Sequence, residues 1–277
     1  MLEIRNEYSL IFSNIKKQLV AYLKKNKQLK ALIIGLSGGI DSALTCILVH
    51  ETLKGFPGIA LLGRSLPIET NKEDEISRSE EIGRLFCDDF QTIDLSLAYK
   101  VFYRELVPEE RINDSSLEEK IRQGNIKARI RMITLFDLAH LKNGMVLSTD
   151  NLTELMLGFW TLHGDVGNFG LLQYLWKTEV YGLARFIESE YINTDEKEKA
   201  SALIKSIDAL PTDGLGITSS DFDQIKVPDY ETADRILLKY LNGDYSDKEH
   251  PVIKRHITSK FKRLDPLNIK REDIFRI

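Results

Sequence analysis

The chain has 277 residues, 43% apolar and 29% charged, with 7 prolines, the composition of a folded globular protein rather than a disordered, collagenous or membrane chain. Its 38 Lys and Arg against 42 Asp and Glu leave a formal charge of −4, so no global positive field exists to hold a nucleic-acid backbone, and a small polar ligand fits better. Cys46 and Cys87 form no CxxC pair, no apolar leader opens the chain, and no run approaches the ~20 apolar residues of a membrane helix. The expectation is a cytoplasmic protein with neither a nucleic-acid nor a membrane partner.

No repeat, low-complexity tract or linker interrupts the chain, which reads as one domain over 1–277. Residues 4–25 space Leu10, Ile11, Ile15, Leu19, Tyr22 and Leu23 as an amphipathic helix. Ala31–Gly35 is a short apolar strand, followed by the turn Ser37-Gly38-Gly39 and a helix from Asp41 to about Leu53. The alternation continues with a strand at Gly58–Leu62, a helix at Lys72–Phe86, a strand at Phe90–Leu95 and a long helix at Glu118–Leu141. A strand at Met145–Ser148 and a helix at Asn151–Leu157 follow. Beyond residue 176 the pattern is mostly helical, with loops at 163–175 and 211–230. Such alternation predicts an α/β protein, a doubly wound parallel sheet flanked by helices with a helical C-terminal part. Ligands of these sheets sit outside the carboxyl ends of the strands.

Between the first strand and its helix lies Gly35-Leu36-Ser37-Gly38-Gly39-Ile40-Asp41-Ser42. Backbone N–H groups and the positive helix end suit an anion there, phosphate above all. The paired glycines permit close backbone approach, Ser37 and Ser42 offer hydroxyls, and the Asp41 carboxylate can hold Mg²⁺ against phosphate oxygens. No lysine follows the glycines, and no GxGxxG is present at this turn, so neither the Walker nor the Rossmann loop is meant.

The string SGGIDS resembles the pyrophosphate loop of the ATP pyrophosphatase superfamily, whose fold is that of the adenine nucleotide alpha hydrolases. Three further blocks resemble the NAD synthetases: Gly124-Asn-Ile-Lys-Ala-Arg129-Ile-Arg-Met132; Ser148-Thr149-Asp-Asn-Leu-Thr-Glu154 with Gly158 to Asp165; and Lys177-Thr-Glu-Val-Tyr181-Gly-Leu-Ala-Arg185. The resemblance covers about residue 30 to about residue 265. By matched position it implies ATP contacts at Gly35, Leu36, Ser37, Gly38, Gly39, Ile40, Asp41, Ser42, Thr149, Lys177 and Thr212, and Mg²⁺ ligands at Asp41 and Glu154. It implies Arg129, Asp165 and Lys262 for the substrate, deamido-NAD, with Asp165 as a candidate catalytic base. The implied reaction is amidation by ammonia through an acyl-adenylate, releasing AMP and pyrophosphate and leaving NAD as product, in a homodimer.

Local readings stand beside these roles. Thr149 and Thr212 fit helix or turn caps, Asp165 a turn, Glu154 a solvated helix face, and Lys262 the charged face of a basic segment. Of the helix cations near Arg129, one of Lys127 and Arg131 is expected to be ordinary surface charge. A lysine at the start of a helix opposes the helix dipole, so Lys177 requires another reason to be there.

This chain also departs from the family pattern. Leu162-His163-Gly164-Asp165 stands where Lys-Tyr-Gly-Asp is frequent, an expected aspartate has no match near Asn168-Phe169, and Phe261-Lys262 replaces a His-Lys pair. The acidic loop after Pro211-Thr212 is shortened to Asp213–Thr218. These departures keep open a related acid such as nicotinate mononucleotide, and a non-catalytic ATP sensor is the rival from another class. With about one helix ahead of Ala31 and no amidase domain there, ammonia is expected from solution or from a separate glutaminase.

Overall fold

The computed structural model describes residues 2–69, 71–108, 111, 114–212, 220–264 and 274. Helix α1 (Tyr8–Lys25) precedes β1 (Ala31–Gly35), α2 (Ile40–Leu53), β2 (Ala60–Ser65), α3 (Glu73–Phe86) and β3 (Asp89–Thr92). Then come α4 (Ser96–Leu106), α5 (Leu117–Leu141), β4 (Gly144–Ser148), α6 (Leu152–Leu157) and the short β5 (Phe169–Gly170). The C-terminal part carries α7 (Lys177–Asn193), α8 (Lys197–Ile207), α9 (Asp221–Ile225), α10 (Tyr230–Leu241), α11 (Pro251–Thr258) and a 3-10 turn over Lys260–Leu264.

The five strands run parallel in the order β3-β2-β1-β4-β5. Successive side chains of β1 point to opposite faces. Leu32 and Ile34 therefore join α1, α2, α7 and α8 in one apolar cluster, while Ala31 and Ile33 join α4 and α5 in another. A third cluster packs α6, α10 and α11 around Trp176. The chain reverses direction across the sheet between β1 and β4, which opens a crevice at their carboxyl ends.

The doubly wound sheet and its flanking helices are those the alternation predicts, with local differences. β2 begins two residues later than expected because Gly58 turns the chain at φ +94. It also runs past the apolar stretch, because Arg64 is buried in the strand on an ion pair with Asp89 at 2.6 Å. Helix α4 and strand β5 were not expected at all, and α9 lies inside the expected 211–230 loop. The shortened segment Asp213–Thr218 lies outside the described residues. Among the described residues, no helix is long and apolar enough to cross a membrane.

Candidate active site

A cavity of about 680 Å³ opens at the β1/β4 crevice. Its floor is the glycine loop. Ser42 Oγ accepts from Ser37 N at 3.2 Å and donates to Gly39 O at 3.1 Å, while Gly39 N donates to Ser37 Oγ at 3.2 Å. These bonds stay within the loop and hold its curl ahead of the first turn of α2. Gly38 has φ +83, and a Cβ there would sit 2.2 Å from Glu75 O, so glycine is required for conformation and for space alike. Arg78 of α3 donates from Nε to Gly38 O at 2.9 Å and fixes the loop from behind.

Above the loop, three predicted residues meet. Lys177 Nζ donates to Asp41 Oδ2, and to Glu154 Oε1 at 3.0 Å. Asn151 binds the group together: its Nδ2 donates to Asp41 Oδ1 at 2.8 Å, and its Oδ1 accepts from Glu154 N at 3.0 Å as the cap of α6. The cation at the start of α7 is thus explained by two carboxylates brought from α2 and α6. Burial pulls the Lys177 ammonium down, but Asp41 and Glu154 outweigh it and hold the group well above its usual range. Burial and the nearby Asp41 push the Glu154 carboxyl up to about 8, against the pull of Lys177. Beside them Asp150 accepts from Ser148 Oγ at 2.6 Å, and burial raises it to about 6.

Thr149 and Thr212 also line the cavity, the latter donating from Oγ1 to Glu75 Oε1 at 2.9 Å. At the far end, both Asp165 carboxylate oxygens accept from Thr161 N, at 2.9 and 3.0 Å. Burial pushes this carboxyl up to about 7. Lys262 faces the same end, where its Nζ donates to Gly158 O at 2.8 Å and to Trp160 O.

Arg129 stands apart. Its guanidinium is exposed, donates to Leu162 O at 3.1 Å and does not line the cavity. The expectation that Lys127 or Arg131 would be a surface charge fails. Lys127 is buried, with Nζ 4.9 Å from the Tyr99 ring centre. Arg131 lines the cavity and donates to Leu66 O at 3.0 Å and to Asn71 Oδ1 at 2.8 Å. The reason lies in helix geometry: α5 turns its 127 and 131 positions, four apart, toward the sheet and leaves 129 outside.

Sequence reasoning also missed Asn151, Asp150 and Arg131 as parts of the site. Asn151 carried a readable signal, since Asn-x-x-Glu is a helix-capping pattern. Arg131 carried none that separated it from its neighbours.

Sheet order and the glycine loop are consistent with an α/β fold of the adenine nucleotide alpha hydrolase type. The sequence matches the NAD synthase family model over residues 11–271. It is 33% identical over 222 residues to the NH(3)-dependent NAD(+) synthetase of Campylobacter jejuni subsp. doylei, covering 79% of this chain and 82% of that protein. A structure titled NMN synthetase from Francisella tularensis superposes with TM-score 0.72 and 25% identity over 94% of this chain and 98% of its own. The NH3-dependent NAD synthetase structure from Campylobacter jejuni shares the fold, with TM-score 0.69 and 21% identity over 95% and 99%. The chain belongs to the NAD synthase family, whose members are ligases.

Proposed function

We propose that this protein uses ATP and Mg²⁺ to amidate the nicotinate carboxyl of deamido-NAD with ammonia, giving NAD, AMP and pyrophosphate. The observation that carries the reading is the junction of Asp41, Glu154 and Lys177 directly above the glycine loop, in one cavity with Asp165. In the first step a carboxylate oxygen of the acid bonds to the α-phosphorus of ATP and the bond to the pyrophosphate oxygen breaks. The loop N–H groups and Lys177 face the charge that collects on the departing pyrophosphate. In the second step ammonia bonds to the acyl carbon and AMP leaves with the electron pair. Asp165, whose carboxyl titrates near neutrality, accepts the proton lost by nitrogen.

The donor set suits a divalent cation. Two carboxyls, Asp41 and Glu154, reach the Lys177 ammonium with Asp150 nearby, and burial first, then the neighbouring Asp41, raises both Asp150 and Glu154. Among the described residues no group of three His, Cys, Asp or Glu side chains could hold a metal ion. Mg²⁺ is usually held by one or two carboxylates completed by phosphate oxygens and water. Asp41 and Glu154 would hold it, and it would neutralise the triphosphate.

A second reading takes nicotinate mononucleotide as the acid. It is favoured by the likeness to the structure titled NMN synthetase and by the altered 162–169 stretch. There His163 is exposed, and Asn168 is spent on β4, with its Oδ1 accepting from Val146 N at 3.3 Å. An ATP sensor needs no leaving-group machinery, so the buried lysine–carboxylate group speaks against it.

We place the reaction in the cytoplasm and in a homodimer. Helices α4 and α5 expose Leu97, Val101, Phe102 and Leu106 together with Leu117 and Ile121. The last two also line the cavity, which brings the apolar face to the edge of the site. An exposed patch of this kind suits self-association.

The experiment supplies ATP, Mg²⁺ and ammonium with deamido-NAD or nicotinate mononucleotide in separate reactions and measures pyrophosphate and amide together. NAD with equimolar pyrophosphate, from deamido-NAD alone, is expected. Turnover of the mononucleotide alone would establish the second reading, and ATP binding without pyrophosphate from either acid would leave the sensor.

A further inference from the structure

We propose that Asp234 on α10 is a positioning residue for this reaction, holding the helix that carries Lys177 and the helix that carries Glu154 at a fixed separation. The inference rests on the role given to Lys177 and Glu154 above. Asp234 is fully buried and lies outside the cavity lining. Its Oδ1 accepts from Thr153 Oγ1 at 2.5 Å, and Thr153 precedes Glu154 on α6. Its Oδ2 accepts from Thr178 N at 2.9 Å and Thr178 Oγ1 at 2.7 Å, and Thr178 follows Lys177 on α7. Thr153 Oγ1 closes the circuit by accepting from Lys177 N at 2.8 Å. One carboxylate therefore touches the immediate chain neighbour of each member of the ion pair.

Two features separate this arrangement from simple structural glue. A buried carboxylate is costly, and a neutral amide or an apolar contact would join three helices at lower cost. Here the negative charge stands at the N-terminus of α7, where it offsets the conflict between the Lys177 ammonium and the positive helix end. Secondly, α10 meets the start of α7 twice, at Thr178 through Asp234 and at Lys177 through Tyr230. Tyr230, one helical turn before Asp234, places its ring centre 5.0 Å from Lys177 Nζ. Asp234 thus holds Thr178, the residue that follows Lys177, and reaches the Lys177 N–H only through Thr153 Oγ1, while Tyr230 faces the ammonium.

The test is a mutant cycle of D234N, K177A and the double variant, read as the rate of pyrophosphate release and, without any acid, as ATP affinity by calorimetry. An asparagine keeps one acceptor oxygen and no charge, so one threonine hydroxyl meets an N–H₂ donor in place of its acceptor and has to turn. We expect D234N to lower kcat about 10–100-fold with KM for the acid unchanged, and to weaken ATP about 3–10-fold. In the K177A background it should cost less than about threefold on either readout, because the residue acts through Lys177. Should D234N fail to fold in thermal melts, T178V, which removes one hydroxyl donor, carries the same cycle with a smaller loss. A D234N enzyme within about threefold of the parent, or the same loss in both backgrounds, would overturn the proposal. If the parent releases no pyrophosphate with either acid, the reaction reading fails, while the ATP-affinity cycle still decides the coupling.

Discussion

The two ends of the cavity are built on different plans. At the β1/β4 crevice the charged groups are spent on one another: Lys177 lies between Asp41 and Glu154, tied by Asn151 and backed by Asp234. At the far end the cations are spent on backbone carbonyls. Lys262 binds Gly158 O and Trp160 O, Arg255 binds Leu157 O, Arg263 binds Met156 O and Arg129 binds Leu162 O. The first end rests on strand termini and helix starts, which hold a preorganised charge pattern. The second is a loop strapped by α11 and the turn after it. On the proposed reading the difference divides the work: the sheet sets the reaction class, and the strapped loop sets which acid is admitted.

The sharpest way to break this division is to disable the crevice alone. D41N or K177A should lower pyrophosphate release by about 10²–10³-fold, because groups facing transition-state charge in a closed site act at this scale. The KM of the acid should move less than about threefold. Equal loss of rate and acid binding, measured by steady-state kinetics and direct titration, would join the two ends into one unit.

A smaller effect is expected from the loop beneath. In G38A the new Cβ meets Glu75 O, and a non-glycine residue is forced to φ +83, a conflict of about 1–3 kcal/mol. The KM for ATP should rise about tenfold while the KM of the acid stays, with melting lowered by some degrees. A G38A enzyme with parental ATP affinity would show that α3 can yield and that the loop is not held as described.

The crevice also carries a pH signature. Asp150, Asp165 and Glu154 are raised by burial to about 6, about 7 and about 8. These three carboxyls therefore keep protons that they lose in the unfolded chain, and their contribution to stability is lost as pH rises from about 4 to about 8, opposed by His50 and His256, which burial lowers. For a chain of this size each kcal/mol corresponds to about 2–4 °C. Calorimetric melting of the ligand-free protein should thus decline by several degrees across that window, and E154Q should flatten the upper part. A Tm that rises with pH would contradict the burial of these carboxylates.

The same division explains what could be read in the sequence. The crevice is legible because its residues lie in contiguous strings at strand ends: the glycine loop, the Asn151–Glu154 cap and Lys177. The glycine loop reads as an anion site from its own residues, while Glu154 and Lys177 are reached through the resemblance to the NAD synthetases. What was not legible depends on tertiary packing. Arg129 and Arg131 differ only in which side of α5 meets the sheet, and Asp234 sits mid-helix in Tyr230–Leu241 with no local mark of its contacts. Helix α4 was missed although it spans Ser96–Leu106, because its apolar residues Leu97, Val101 and Phe102 face solvent rather than the core.

The smallest expected effect decides most about the far end. Arg129 is implied as a substrate ligand by its position in the sequence block, yet its guanidinium lies outside the cavity on Leu162 O. Both hold if a long substrate runs out of the cavity past the 158–165 loop and meets Arg129 at the rim. A dinucleotide acid carries a second nucleotide for that rim, and a mononucleotide carries none. R129A should then raise the KM for deamido-NAD about 3–10-fold at unchanged kcat, the mark of lost uniform binding. The KM for nicotinate mononucleotide, supplied to the same variant, should not move. R131A is the internal control: Arg131 lines the cavity and holds Leu66 O and Asn71, so its loss should affect either acid alike. If R129A leaves deamido-NAD untouched while R131A does not, the cation that α5 offers the substrate is Arg131, and the strapped loop is closed to the second nucleotide.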